Sequence, residues 1–393
     1  MHILNIIDTL DPEAGGPADS VRHILASYPL MGHTGEVVSL DDPDEPFLRD
    51  LDFPVHALGP RGTTYGANLR LIPWLRKNRK RFDGVVSHGL WTFTGYATWR
   101  TFGGRLPYVV FTHGMLDPYF KHAFPLKHLK KWVYWITAQY WILRAAHRVL
   151  FTSTTESVLA KQSFWLYRWN AQVVPYGAKG PHGDPAAYRS AFFAQCPSLL
   201  EADGVTAKPY LLFLGRIHPK KGCDLLVDAF ARIAHQAPDL QLVFAGPDQI
   251  GWRAELEEKA AAAGIADRVH WPGMVHDDVK WGAYYGCEAF VLPSHQENFG
   301  ISVAEALACG KPALLADKVN IADDVRATGA AFVESDTYEG TLRLLERWLC
   351  TSPAEREQMA ANALACFSTR YDMTENAKAI TRIFEDLQRE EAE

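Results

Sequence analysis

Glu297 and Glu305 stand eight residues apart across the start of a short helix that directly follows the apolar run 289–293. A carboxylate only accepts hydrogen bonds and takes paired hydroxyl donors well, so two at this spacing suit two hydroxyl-bearing parts of one ligand. Glu297 is expected in the strand-to-helix turn and Glu305 on the first turns of the helix. Between them the backbone N–H groups around Phe299, Gly300, Ile301 and Ser302 have no intrahelical acceptor, and such a helix start is an anion site. Hydroxyls on either side of a diphosphate describe a sugar nucleotide. A capping carboxylate plus one exposed helix glutamate is the plainer account, and the rest of the chain has to decide between them.

Basic groups occupy a matching place upstream. The apolar run 209–214 reads as a buried strand and is followed by Gly215, Arg216, Lys220, Lys221 and Gly222 before the next helix. Arginine offers a planar fork to phosphate oxygens and lysine a mobile point charge, so together they can neutralise a diphosphate without a metal. Lys220 is expected to face solvent, and Asp224 to cap the helix. His88 and His113 each end an apolar run and precede a glycine. A lone histidine is ordinarily a satisfied core or rim residue, whereas two at strand ends in one cleft are candidates for chemistry. Gly15, Gly16 and Pro17 are expected to form a tight turn before the first helix. They lack the G-x-G-x-x-G pattern, which argues against a dinucleotide-dependent dehydrogenase. Asp42 and Asp44 lie in a Pro-rich stretch that reads as a solvated loop, and no His, Cys or carboxylate spacing argues for a metal.

The elements that must position these residues alternate along the chain. Short apolar strands are expected near 3–7, 36–40, 55–58, 84–88, 108–112, 148–152 and 172–175, then near 209–214, 240–245, 269–271, 289–293, 312–315 and 331–333. Amphipathic helices fill most gaps, one from about Asp19 with Val21, Ile24, Leu25 and Tyr28 as its apolar stripe, another with Leu226, Ala229, Phe230 and Ile233. This is the pattern of parallel sheets covered on both faces, built twice. A length of 393 residues suits two domains, and the Pro- and Gly-rich stretch 174–185 is the expected hinge. The boundaries are therefore 1–178 and 179–371, with ligand expected in a deep cleft where the two lobes face each other.

A net charge of −6 offers no polyanion-binding field and excludes nucleic acid as the expected partner. The six cysteines include no C-x-x-C pair and suit a reducing, cytoplasmic setting. No apolar run reaches the roughly 20 residues of a membrane span. Residues 119–135 combine lysines with aromatics directly after His113. Two readings stand for this stretch: a segment lying on the inner face of an anionic membrane, or a core helix with Trp132, Trp135 and Ile136 inward and lysines in water.

With its apolar strand before and Cys309, Gly310, Lys311 and Pro312 after, the glutamate pair resembles the Glu-x7-Glu signature of family four retaining glycosyltransferases of the GT-B fold. The resemblance spans nearly the whole chain and is most specific in the second half. It implies an α/β fold of two Rossmann-like domains, the first binding the acceptor and the second the nucleoside diphosphate sugar, with a terminal helix over 372–390 returning to the first. It implies Glu297 at the donor sugar, Glu305 at the ribose, and Arg216, Lys221, Gly16, Phe299, Gly300 and Ile301 about the diphosphate. Backbone groups of Met274 and Val275 would cradle the base. His113 would act at the reacting centre, with His88 on the acceptor side. The implied reaction moves a sugar to a glycan or polyprenyl-linked glycan, without a metal or other cofactor. The rivals are an epimerase or phosphorylase of the same fold, or a non-catalytic sugar-nucleotide-binding subunit.

Overall fold

The computed structural model describes residues 1–14, 16–49, 51–62, 65–119, 121 and 125–392, with the backbone alone at 13, 391 and 392. The chain forms two compact units, Met1–Gly177 with Asp372–Glu393, and Ala178–Tyr371. In the first, strands β1 (His2–Ile6), β2 (Thr34–Ser39), β3 (Val55–Ala57), β4 (Gly84–His88), β5 (Tyr108–Phe111), β6 (Arg148–Phe151) and β7 (Ala171–Val173) form one sheet in the order β3-β2-β1-β4-β5-β6-β7. In the second, β8 (Tyr210–Leu214), β9 (Gln241–Ala245), β10 (Val269–Gly273), β11 (Ala289–Leu292), β12 (Ala313–Ala316) and β13 (Ala331–Glu334) take the order β10-β9-β8-β11-β12-β13. Neighbours in both sheets run parallel.

Parallel strands covered by helices on both faces must be apolar along their whole length. β4, β5, β9, β11 and β12 are accordingly buried at every residue. The covering helices bury one stripe each. Val21, Ile24 and Leu25 of the helix Gly16–Ser27 are buried, and so is Tyr28 in the 3-10 turn that continues it. Leu226, Ala229, Phe230 and Ile233 do the same on the helix Cys223–Ile233.

The first helix begins earlier than its apolar stripe indicates. Gly16 is its first residue, so Gly16 and Pro17 belong to the helix rather than to a tight turn; Gly15 lies outside the described residues. Proline's fixed φ and missing N–H suit the first helical turn. The final helix, Met373–Ala392, packs within the first unit, where Ile380, Ile383, Phe384 and Leu387 are buried. The Phe384 ring fills the space beside Gly84 on β4, where an added Cβ would lie 2.4 Å from it. Phe384→Ala should therefore destabilise the first unit by about 3–5 kcal/mol, read as a lower urea midpoint. A change below roughly 0.5 kcal/mol would show that the terminal helix is a dispensable appendage.

Candidate active site

Both sheets reverse their strand order once, between β1 and β4 in the first unit and between β8 and β11 in the second. Helices leave such a point on opposite faces, which opens a crevice at the carboxyl ends of the two strands.

At the β8/β11 crevice, β8 runs out into Gly215 and Arg216, and β11 into the loop that carries Glu297. The loops approach so closely that a Cβ on Gly222 would lie 2.2 Å from the carbonyl oxygen of Pro293. Gly222 holds φ 66° and is itself the N-cap of the helix Cys223–Ile233, so Asp224 sits in the first turn and is not the cap. Lys220 is half-buried, not solvent-facing, and its carbonyl accepts from the His295 amide at 2.9 Å. Lys221 and Glu297 form an ion pair, both side chains largely shielded. The Glu297 backbone is pinned from both sides, its amide donating to Lys318 at 3.0 Å and its carbonyl accepting from Asn320 at 3.0 Å. Arg216 is exposed and donates to the Gln249 side-chain oxygen at 3.4 Å.

Gly300, at φ 81°, opens the helix Ile301–Ala308, and Phe299 is buried edge-on against Tyr371. Glu305 lies one turn into that helix. Its carboxylate accepts from Lys280 Nζ at 2.6 Å and from the Tyr284 hydroxyl at 3.0 Å. Burial, reinforced by the Glu305 charge, raises the Tyr284 hydroxyl well above its usual range, so it remains a donor. Neither partner was singled out from sequence, although Lys280 and Tyr284 share one face of the helix Asp277–Gly286. β10 extends past Trp271 to Gly273, leaving Met274 exposed and Val275 buried after it. The Met274 carbonyl accepts from the Gln195 side chain at 3.3 Å.

At the β1/β4 crevice a pocket of about 170 Å³ is lined by Ile7, Asp8, Thr9, His88, Leu90 and Met115, among others. His88 Nε2 lies 3.0 Å from Asn5 Oδ1, and His88 Nδ1 lies 3.1 Å from His113 Nε2. With the Asn5 oxygen accepting from His88 Nε2, His88 Nδ1 accepts from His113 Nε2, and His113 Nδ1 keeps a lone pair that is buried without a partner. The dyad is neutral at pH 7, because burial pulls His113 down to about 3 and, with His113 beside it, holds His88 well below the usual range.

His113 adopts φ 49°, a strained conformation for a residue other than glycine. Buried Glu156 fastens that turn. It accepts from the Gly114 amide at 2.8 Å and the Thr112 hydroxyl at 2.7 Å with one oxygen, and from the Thr152 amide and hydroxyl at 2.6 and 2.7 Å with the other. Tyr176 stands edge-on to His113 and donates its hydroxyl to the Gly16 carbonyl, which ties the first helical residue to the histidine turn. The apparent Asp42/Asp44 pair is a local turn, the Asp44 amide donating to Asp42 Oδ1 at 3.1 Å. Among the described residues no three His, Cys, Asp or Glu side chains gather where they could hold a metal.

Known proteins resemble both halves of the chain. Residues 202–365 match the model for glycosyl transferases group 1, and residues 15–177 the model for the glycosyl transferase 4-like domain. In both of its halves the chain is similar to glycosyl transferases. It is 29% identical over 191 residues to the lipopolysaccharide core biosynthesis mannosyltransferase LpsB of Rhizobium meliloti, a match covering 47% of this chain and 53% of that protein. A D-inositol 3-phosphate glycosyltransferase of Geodermatophilus obscurus is 40% identical over 113 residues, 27% of this chain and 25% of that protein. The chain thus matches about half or less of the length of these relatives. Among solved structures, Anabaena HepE in complex with UDP and glucose superposes with TM-score 0.72 at 20% identity, covering 98% of this chain and 100% of that one. Sucrose-phosphate synthase from Thermosynechococcus elongatus gives TM-score 0.70 at 20% identity, covering 98% of both chains. The fold is GT-B, two Rossmann-like units.

The histidine pair makes a pH prediction. Both folded-state pKa values lie below the unfolded value, so the unfolded chain takes up protons first and stability is lost as pH falls from about 6.5 toward 3. Replacing His113 with Gln should flatten that fall, measured as urea stability at pH 7.5 and pH 5. Equal losses in the two proteins would contradict a buried neutral dyad.

Proposed function

We propose that the protein is a retaining glycosyltransferase that moves a sugar from a nucleoside diphosphate to a glycan or lipid-linked glycan acceptor. The observation that carries the reading is the Lys221–Glu297 pair at the β8/β11 crevice, with Arg216 following β8 and the helix Ile301–Ala308 starting four residues after Glu297. A cation next to a carboxylate there matches a ligand with a diphosphate at one end and a hydroxylated ring at the other. The similarity of both halves to glycosyl transferases supports it, and so does HepE, a protein of the same fold whose solved complexes contain UDP, glucose and UDP-glucose.

On this reading Arg216, Lys221 and the first-turn amides after Gly300 take up the charge that develops on the departing diphosphate, as preorganised electrostatics. The exposed Arg216 side chain swings onto the phosphates when donor arrives. Glu297 accepts from sugar hydroxyls, Glu305 from the ribose, and the backbone at Met274 and Val275 reads the base. Ribose binding by Glu305 exchanges the Lys280 or Tyr284 bond for a hydroxyl. The pocket beside His88 receives the acceptor. Neutral His113 offers Nδ1 as a hydrogen-bond acceptor to a substrate hydroxyl. The leaving phosphate helps to deprotonate the acceptor on the face from which it departs, and this keeps the anomeric configuration. Side chains and amides supply all the positive charge, so no metal is required.

Three outcomes check the assignment. Arg216→Ala should weaken a nucleoside diphosphate by about ten- to hundredfold, as expected for lost charge-assisted bonds, while leaving the nucleoside nearly unaffected in calorimetry; equal losses would remove Arg216 from the phosphates. Turnover should survive excess EDTA, and loss reversed only by magnesium or manganese would place a metal in the mechanism. The first-formed product should carry the donor's anomeric configuration by proton NMR, and the opposite anomer would exclude the retaining route.

A further inference from the structure

Residues 118–183 carry nine lysines and arginines and a single carboxylate, Glu156, although the whole chain has a net charge of −6. That carboxylate is buried under the His113 turn, so this stretch presents no negative side chain to solvent. Near its start lies the helix Pro125–Tyr134, which buries none of its residues. Leu126, Leu129 and Val133 point outward, and Ile136 in the following π-helical turn continues the row at 53% exposure. Their spacing of three, four and three residues is that of one helical face. An apolar ladder of this length normally faces a core; here it faces solvent.

Neither reading of 119–135 from sequence describes the segment completely. Trp135 is fully buried, stacked on Phe164 at 4.1 Å, and Trp132 meets Phe164 edge-on at 5.0 Å, so the aromatics do anchor the helix inward. Ile136, expected inward with them, is turned out instead. Residues 120 and 122–124 lie outside the described residues. Beside the ladder, Trp165 is 78% exposed and its ring lies 5.6 Å from that of Trp132. Lys127 and Lys130 are exposed on the helix, as are Lys161 and Arg168 on either side of Trp165 in the chain. Lys131 lies over the Trp91 ring at 4.5 Å, which leaves Lys127 and Lys130 as the helix's outward cations.

We infer that the face formed by Leu126, Leu129, Val133, Ile136 and Trp165 docks on an anionic lipid bilayer. The apolar row enters the acyl boundary while Lys127, Lys130, Lys161 and Arg168 meet lipid phosphates. Charge selects this occupant: a cationic rim about an apolar row complements anionic headgroups, and a second copy of the same face would bring like charges together. Among the described residues no helix is long and apolar enough to cross a membrane, so the attachment lies in the interface. Docking does not depend on the donor chemistry and extends the proposed function only by bringing the first unit to where a lipid-linked acceptor would be.

Sedimentation of the whole protein with phosphatidylcholine vesicles, with and without about one third phosphatidylglycerol, tests this in the absence of any sugar donor, so its failure leaves the transferase reading untouched. Wild type should bind the anionic vesicles at least about tenfold more strongly and be released by high salt. Joint replacement of Leu129, Val133 and Ile136 with serine should abolish binding without lowering thermal stability, because these side chains are already in water. Joint replacement of Lys127 and Lys130 with glutamine should weaken it on anionic vesicles only. Wild type that stays in solution, equal binding to both vesicles, or a dimer dispersed by the serine variant with no vesicle binding would each overturn the inference.

Discussion

The reversal of strand order in each sheet is the constraint on which the site depends. A parallel strand must be buried on both faces, so its side chains are committed to packing and polar chemistry is confined to strand ends. Where neighbouring connections leave on opposite faces, the carboxyl ends stand open. Arg216 and Glu297 follow β8 and β11, while Asn5, His88 and the loop after Ile6 belong to β1 and β4. The fold thus offers two open crevices, and the chain has furnished them differently, one with paired charges and the other with two neutral histidines.

Each crevice has its own support. Glu297 is held by its backbone between Lys318 and Asn320, so the Lys221 pair can open without releasing the residue that carries the carboxylate. The His113 turn is strained, and its hold comes from the four donors gathered on Glu156. Burial raises the Glu156 carboxyl above its ordinary range while those donors oppose the shift. Strain of this kind persists only where the surroundings over-determine it.

The central strands of both sheets were legible in the sequence because doubly covered parallel strands read as continuous apolar runs, whereas the edge strands β3 and β7 are short and only partly covered. Helix starts were less legible: the apolar stripe from Val21 says nothing of the first turn, which Gly16 and Pro17 complete without contributing to it. At the site, residue types and strand-end positions pointed to Glu297, Lys221, His88 and His113, but not to their partners. Lys221 and Glu297 are 76 residues apart, and His88 and His113 are 25. Such pairings depend on which strands become neighbours, information that no local pattern holds. Lys280 and Tyr284 were missed for the same reason, since their role exists only once their helix lies against that of Glu305.

The central claim, that a nucleoside diphosphate occupies the β8/β11 crevice, is tested most directly by hydrogen exchange of the intact protein with and without a nucleoside diphosphate drawn from a panel of bases. The account predicts new amide protection in 215–222 and 297–305, with the amides of 7–18 and 88–92 little changed. Protection confined to the β1/β4 segments would contradict it and would move the diphosphate to the crevice assigned here to the acceptor.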